Sequence, residues 1–128
     1  MFNGRCREAF EYYARVLDGE LAFMMTYGDS PMAGDVPDDC QEFVVHASVK
    51  FGAGELVGAD ALPSDPVSPQ GFFVLLDPAN EAEAARLFAA LAEGGEVRMQ
   101  LRKTFWSPAF GIVVDKFGIP WEISARDG

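Results

Sequence analysis

Two cysteines and one histidine are all that 128 residues offer a soft metal or a thiol chemistry. With no CxxC pair and a single His, a structural zinc site lacks ligands. Cys6 falls on an apolar helical stripe and Cys40 in a Pro/Asp-rich loop, which reads as two free thiols in a reducing compartment. Positive charge is also scarce: 10 Lys and Arg stand against 20 Asp and Glu, for a net charge of −10. Seven acids and no base lie between Arg15 and Lys50, and six more acids and no base between Lys50 and Arg86. The one basic cluster, Arg98, Arg102 and Lys103, is too small to displace nucleic-acid counterions from such a field, so a nucleic-acid partner is excluded. An anionic membrane surface is excluded by the same argument, and the acidity reads as solubility. No apolar run reaches the ~18 residues of a membrane helix. No charged-then-apolar leader opens the chain, so a cytoplasmic location is expected. GxSxG, P-loop, dinucleotide-fingerprint and HExxH motifs are missing. A Ser-His-Asp triad has only His46 to draw on, and nothing sets a nucleophilic serine beside it.

What the chain does have is apolar material: 49% hydrophobic residues, with eleven Phe and two Trp. That is too much for a solvated coil, and enough for one domain that buries roughly two-thirds of its unfolded surface. Cys6, Ala9, Phe10, Tyr13, Val16 and Leu17 recur at helical spacing, with Asn3 as cap and Gly19 as stop. Ala84, Leu87, Phe88 and Leu91 make a second stripe, opened by Asn80 with Glu83 in a capping-box position and closed by Gly94-Gly95. Strands are expected at 21–27, 43–51, 55–60, 72–77, 97–105, 110–115 and 120–125. In the second of these, Phe43, Val45, Ala47, Val49 and Phe51 fall on one face, and Val44, His46, Ser48 and Lys50 on the other. Residues 72–77 are apolar on both faces, as in a central strand. The stretches 28–42 and 61–71 hold most of the Pro and Gly and read as loops, the first long enough for a lid.

The two halves match. Glu8-Ala9 through Gly19 aligns with Glu83-Ala84 through Gly94 at an offset of 75, and Lys50-Phe51-Gly52 recurs as Lys116-Phe117-Gly118. Each half reads helix, strand, strand, strand, and the second adds a leading strand at 72–77. The first half's leading strand would be ending at Met1-Phe2, so it is expected to be truncated or missing. Either translation starts upstream or a partner chain covers the open edge.

A βαβββ unit used twice resembles the glyoxalase/bleomycin-resistance/dioxygenase (vicinal oxygen chelate) superfamily, and this sequence is similar to its PhnB-like branch. The resemblance rests on Phe2-Asn3-Gly4-x-Cys6-x-Glu8-Ala9-x-x-x-Tyr12-Tyr13, on His46-Ala47 and on Asp60. It continues through Glu83-Ala84, Phe88-x-x-Leu91-Ala92-x-Gly94-Gly95, and Phe105-Trp106-x-x-x-Phe110-Gly111-x-x-x-Asp115-x-Phe117-Gly118-x-x-Trp121. It implies an α+β, glyoxalase-like fold: two tandem βαβββ modules, about 1–60 and 72–128 joined by a linker at 61–71, in one domain whose curled sheet surrounds a cup. It also implies a homodimer and a small-molecule ligand. Some members of this branch are named 3-demethylubiquinone methyltransferase; this sequence has no glycine-rich cofactor loop to support methyl transfer.

Metal-dependent relatives take four ligands from equivalent strand positions. Their Glu stands four residues after the turn glycine, and Gly118 plus four is Glu122. The repeat maps Glu122 onto Leu56, which binds no metal. The ligand before the second helix falls near Gln70 or Gly71, and the fourth falls upstream of Met1. One good ligand of four predicts no cofactor and no divalent ion held tighter than about micromolar, so Glu122 becomes a ligand only if a metal is present.

Glu122 alternates with Trp121 and Ile123; if those two pack under the helix, Glu122 and Ser124 face the cup, where a carboxylate can serve as general base. His46, on the face opposite the bulky apolar one, is a ligand or acid–base candidate, against a structural histidine bonded across the sheet. Phe105, Trp106 and Phe110 surround a Ser107-Pro108 turn and could stack on a planar ligand, against plain packing. Arg98 and Arg102 share a strand face and could hold an anion, with Arg102 the nearer to the aromatics. Two functions stay open: a binding protein that sequesters a small, partly aromatic molecule, and a glyoxalase- or dioxygenase-type lyase or isomerase using Glu122.

Overall fold

The two helical stripes form as their spacing requires. In the computed structural model, which describes residues 1–62 and 71–126, α1 is Cys6–Val16 and α2 is Glu81–Ala92. Every residue of both expected stripes is buried, from Cys6 to Leu17 in the first and from Ala84 to Leu91 in the second. The strands are β1 (Glu20–Thr26), β2 (Val44–Phe51), β3 (Gly54–Gly58), β4 (Val74–Leu76), β5 (Glu96–Arg102), β6 (Phe110–Val114) and β7 (Pro120–Ser124). The fold is α+β and glyoxalase-like, built as two compact units, Met1–Val67 and Ser68–Gly128. Most of the linker expected at 61–71 lies outside the described residues. Among the described residues no helix is long and apolar enough to cross a membrane.

In the first unit α1 covers a three-stranded antiparallel sheet ordered β1-β2-β3. Phe10 contacts Phe2 and Tyr13 edge-on at 6.0 and 5.7 Å, and Ala47 and Val49 of β2 are fully buried. The leading strand expected here is reduced to one parallel bridge, Phe2 with Asp60. The helix start differs from expectation as well. Asn3 makes no cap; Asp60, fully buried, accepts from the Gly4 and Cys6 N–H groups with one carboxylate oxygen and from Val44 N–H with the other, all at 2.9 Å. Those bonds satisfy donors that a helix end leaves orphaned. They also explain why Asp60 follows the last strand of its unit.

The alternation expected in β2 breaks at one point. Met25 pairs with His46 but Thr26 with Val44, so Val45 is the extra residue of a β-bulge, and Val44 joins the buried face instead. At the far end of α1, Asp18, not Gly19, takes the left-handed conformation (φ 55°). Gly19 is needed for another reason: a Cβ there would stand 2.5 Å from the Lys50 carbonyl oxygen. Gly95 sits against the Val114 carbonyl in the same way, so both units seat the end of the helix on the backbone of the hairpin. The loop at 28–42 forms two short 3-10 turns, held by the Gln41 amide, which donates to the Ala33 carbonyl at 2.9 Å and faces the Val36 carbonyl at 3.2 Å.

In the second unit α2 covers a four-stranded sheet ordered β4-β7-β6-β5, with β4 parallel to β7. Trp121, Ile123 and Val113 are fully buried on the helix side. The Asn80 side chain caps α2, accepting from Glu83 N–H at 2.9 Å, but the Glu83 carboxylate pairs with Arg86. Residues 72–77 do not make the centrally buried strand expected of them. Only Val74–Leu76 pair, β4 ends the order of its sheet, and Phe72, Phe73 and Leu75 are exposed.

Candidate functional site

Alternation along β7 buries Trp121 and Ile123 under α2 and leaves Glu122 and Ser124 on the opposite, open face. The strand register carries that face across the sheet. Leu75, Glu122, Ile112 and Met99 form its middle row, and Ser124, Phe110 and Arg102 the row toward one end. Glu122 is thus half-buried between apolar neighbours. The Trp106 ring meets Phe110 edge-on at 5.1 Å, and Phe105 meets Trp106 edge-on at 4.6 Å. Phe110 is buried below, while Trp106 is 51% and Phe105 96% exposed.

The Ser107-Pro108 turn holds this cluster in place. The Ser107 hydroxyl donates to the Ala125 carbonyl at 2.8 Å and accepts from Ala109 N–H at 3.2 Å, and Thr104 N–H donates to the Ser107 carbonyl at 2.9 Å. The turn is therefore tied to the residue that follows β7, and Trp106 is set over Phe110. Four residues read separately from the sequence, Phe105, Trp106, Phe110 and Arg102, are brought together on the face that carries Glu122.

At the hairpin end of the same unit, Val97 pairs with Val113 but Met99 with Ile112, so Arg98 is the extra residue of a second β-bulge. A further register shift follows between Met99 and Arg102. Arg98 lines a pocket of about 140 Å3 with Gly71, Phe72, Phe73, Val114, Gly118 and Pro120. Asp115 stiffens the turn beside it. One carboxylate oxygen accepts from Phe117 and Ile119 N–H at 2.8 and 3.0 Å, and the other from the Trp121 indole at 2.8 Å. The sequence reading missed Phe72, Phe73 and the role of Asp115. Asp115 followed by a turn glycine was a readable signal, whereas no local pattern marks the bulge.

The first unit has an open face of its own. Register places Met25 beside His46, Phe23 and Val57 on either side of Ser48, and Glu20 and Glu55 on either side of Lys50. His46 is exposed and its ring lies 5.7 Å from that of Phe23. Its contact is ring packing, and among the described residues no hydrogen bond to its side chain occurs. The Ser48 hydroxyl is buried with no hydrogen-bond partner among the described residues.

A divalent ion needs a set of hard or nitrogen donors, and the described residues do not assemble one. Asp60 N–H donates to the Val44 carbonyl as Ala125 N–H does to that of Ala109, which makes Asp60 the counterpart of Ala125. The first-unit partner of Glu122 is then Val57, one residue from the Leu56 expected, and just as unable to bind a metal. Gly71 has no donor side chain, and Gln70 lies outside the described residues. Among the described residues no three His, Cys, Asp or Glu side chains gather. Neither thiol is a ready nucleophile: burial, with the Asp60 charge adding, pushes Cys6 up to about 12, and burial with neighbouring Asp39 raises Cys40.

Residues 1–124 match the family described as 3-demethylubiquinone-9 3-methyltransferase. Protein YjdN of Escherichia coli (strain K12) is 37% identical over 131 residues, covering 96% of this chain and 89% of that protein. The crystal structure of protein PA1353 from Pseudomonas aeruginosa is 41% identical with a TM-score of 0.90, covering 99% of this chain and 93% of that one. A PhnB protein from Bacillus cereus (23% identical, TM-score 0.78, 98% and 95% covered) and a glyoxalase-related enzyme from Fulvimarina pelagi (15%, 0.61, 98% and 84%) share the fold. By the match along nearly its whole length and by the YjdN relationship, the chain belongs to the PhnB-like family described as 3-demethylubiquinone-9 3-methyltransferase.

Proposed function

We propose that this protein binds a small, partly aromatic molecule on the open face of its second sheet, acts as a homodimer in the cytoplasm, and holds no metal tightly. The observation that carries the reading is the face itself. An edge-exposed Trp106 stands over a buried Phe110, and a half-buried Glu122 lies in a row of Leu75, Ile112 and Met99. Such a face offers apolar area and stacking with few polar groups to orient a ligand, as small-molecule sites do. The exposed Phe23 and Val57 on the open face of the first unit give a second copy of the chain apolar surface to cover. The methyl transfer in the family's description is not part of this reading, because the chain has no glycine-rich cofactor loop.

A second reading has one observation in its favour: Glu122 stands mid-face, where it could take a proton from a bound substrate as a general base. One variant separates the two. With 2-naphthol as a neutral planar probe followed by NMR, Glu122→Gln keeps affinity within about twofold of wild type, while Trp106→Ala lowers it roughly tenfold, the loss of a stacking contact. No saturable binding of the probe by wild type would defeat the binding reading. Turnover of any glyoxalase-type substrate that Glu122→Gln abolishes would establish the second.

A further inference from the structure

Arg98 is an exposed cation with no ion-pair partner among the described residues. Among the described residues the ion pairs are Arg5 with Glu8 and Arg86 with Glu83, and no carboxylate lies within 4.0 Å of Arg98. Its direction is set by the backbone. The register shift between Val97 and Met99 leaves Arg98 unpaired in the β5–β6 ladder, and bulges are devices that re-aim one side chain beside a site. Here the re-aimed side chain lines a pocket whose other side-chain walls are Phe72, Phe73, Val114 and Pro120. On the same face lies Glu122, two residues along β7 from Pro120, with the Trp106 cluster beyond it.

The pocket's size fixes what part of a ligand it can take. At about 140 Å3 it is well below the roughly 300 Å3 from which drug-sized sites begin, so it holds a head group and not a whole molecule. Its chemistry fixes the charge. One guanidinium presents a planar fork that matches a carboxylate with two parallel N–H bonds. Two phenyl rings and a proline suit a flat apolar neighbour of that carboxylate better than a heavily hydrated multivalent phosphate.

We propose that the pocket of Phe72, Phe73, Arg98 and Pro120 is an anion subsite that takes the carboxylate end of a small aromatic or amphipathic acid, whose apolar remainder runs along the open face past Glu122 toward Trp106. The inference rests on the binding reading above and narrows its ligand to a monoanionic acid.

The test titrates the full chain with benzoate, with benzyl alcohol as its neutral counterpart and with phenylphosphonate, each followed by NMR at the Arg98 side chain and the Phe72 and Phe73 rings. Benzoate should bind more tightly than benzyl alcohol. Arg98→Gln should weaken benzoate about tenfold or more, the loss of a charge-assisted pair, and leave benzyl alcohol within about twofold. Arg98→Lys should keep part of the affinity, since the charge remains and the fork does not. Equal binding of benzoate and benzyl alcohol, or no effect of Arg98→Gln, overturns the subsite. Tighter binding of phenylphosphonate than benzoate overturns the carboxylate assignment. If benzoate fails while 2-naphthol still binds at Trp106, this inference falls and the binding reading stands; if benzoate binds at Arg98 but 2-naphthol does not bind, the anion subsite stands and its extension toward Trp106 falls with the binding reading.

Discussion

The two halves start their helices by different means. In the second unit a three-residue strand, β4, leads into α2, and Asn80 caps that helix three residues from the N–H it satisfies. In the first unit Phe2 bridges Asp60, and the cap comes from Asp60, 54 and 56 residues away along the chain. The equivalent of Asp60 in the second unit is the buried Ala125, which ends its sheet with the same backbone bond and no side-chain cap. Where sheet pairing is short, one buried carboxylate ties the helix start, the β2 start and the end of the last strand to each other.

The sharpest way to break this comparison is to remove the carboxylates. Asp60→Ala orphans three buried or half-buried N–H groups that belong to separate segments. It should destabilise the protein by about 4 kcal/mol or more in urea unfolding, at a penalty of ~1–3 kcal/mol per unsatisfied donor. Asp115 also accepts three N–H bonds, but all within six residues of itself, so its loss loosens one local turn and does not part separate segments. Asp115→Ala should cost about half as much, ~2 kcal/mol. Equal losses would mean that each half depends on its own carboxylate to the same degree, whatever length of chain that carboxylate ties together.

A second contrast is titratable. Cys6 sits at the first turn of α1, fully buried, and its counterpart at the offset of the repeat is the exposed Glu81. The Cys6 thiol is raised from 9.0 to about 12 in the folded state, chiefly by burial. Above pH 9 the unfolded chain therefore gives up a proton that the folded chain keeps, and stability falls as pH rises toward 12. At about pH 10.5 the thiol accounts for ~2 kcal/mol of that loss, by the linkage of 1.36 kcal/mol per pKa unit. Unfolding of wild type and Cys6→Ala compared between pH 8 and 10.5 isolates it, because the other titrating groups are common to both. Parallel curves would show that the first turn of α1 opens enough to hydrate the thiolate.

What the sequence revealed and what it hid divide along the range of the interactions. Both helical stripes, the strands (the fifth ending at Arg102 and not at 105, the other six within two residues), and the repeat itself follow from periodicity, which is local. So does the facing of Glu122, because Trp121 and Ile123 on either side are large and apolar. The β-bulges at Val45 and Arg98 are not local properties. They arise when two strands whose ends are fixed elsewhere must absorb one residue, and no residue type announces them. That is why Val44 changes face and why Arg98 drops out of the β5–β6 ladder. The aromatic site was legible as a list, Phe105, Trp106 and Phe110, but not as a place, because the bond from Ser107 to Ala125 that sets the turn spans 18 residues.

The smallest effect tests that division most directly. Asn3 and Asn80 look alike in sequence: each precedes an apolar helical stripe, and each is a preferred capping residue. Only Asn80 accepts a helix N–H; Asn3 is exposed, and the donors it might have satisfied belong to Asp60. Asn80→Ala should therefore cost about 1 kcal/mol, the usual value of a lost cap, while Asn3→Ala should stay within about 0.5 kcal/mol of wild type. The two losses are measurable as shifts of the urea midpoint at unchanged m-value. If Asn3→Ala costs as much as Asn80→Ala, the first helix is capped locally in solution and Asp60 serves the strand alone. If it costs nothing in wild type but about 1 kcal/mol once Asp60 is replaced, the two residues compete for the same donors, and the distant carboxylate wins because it is already buried beside them.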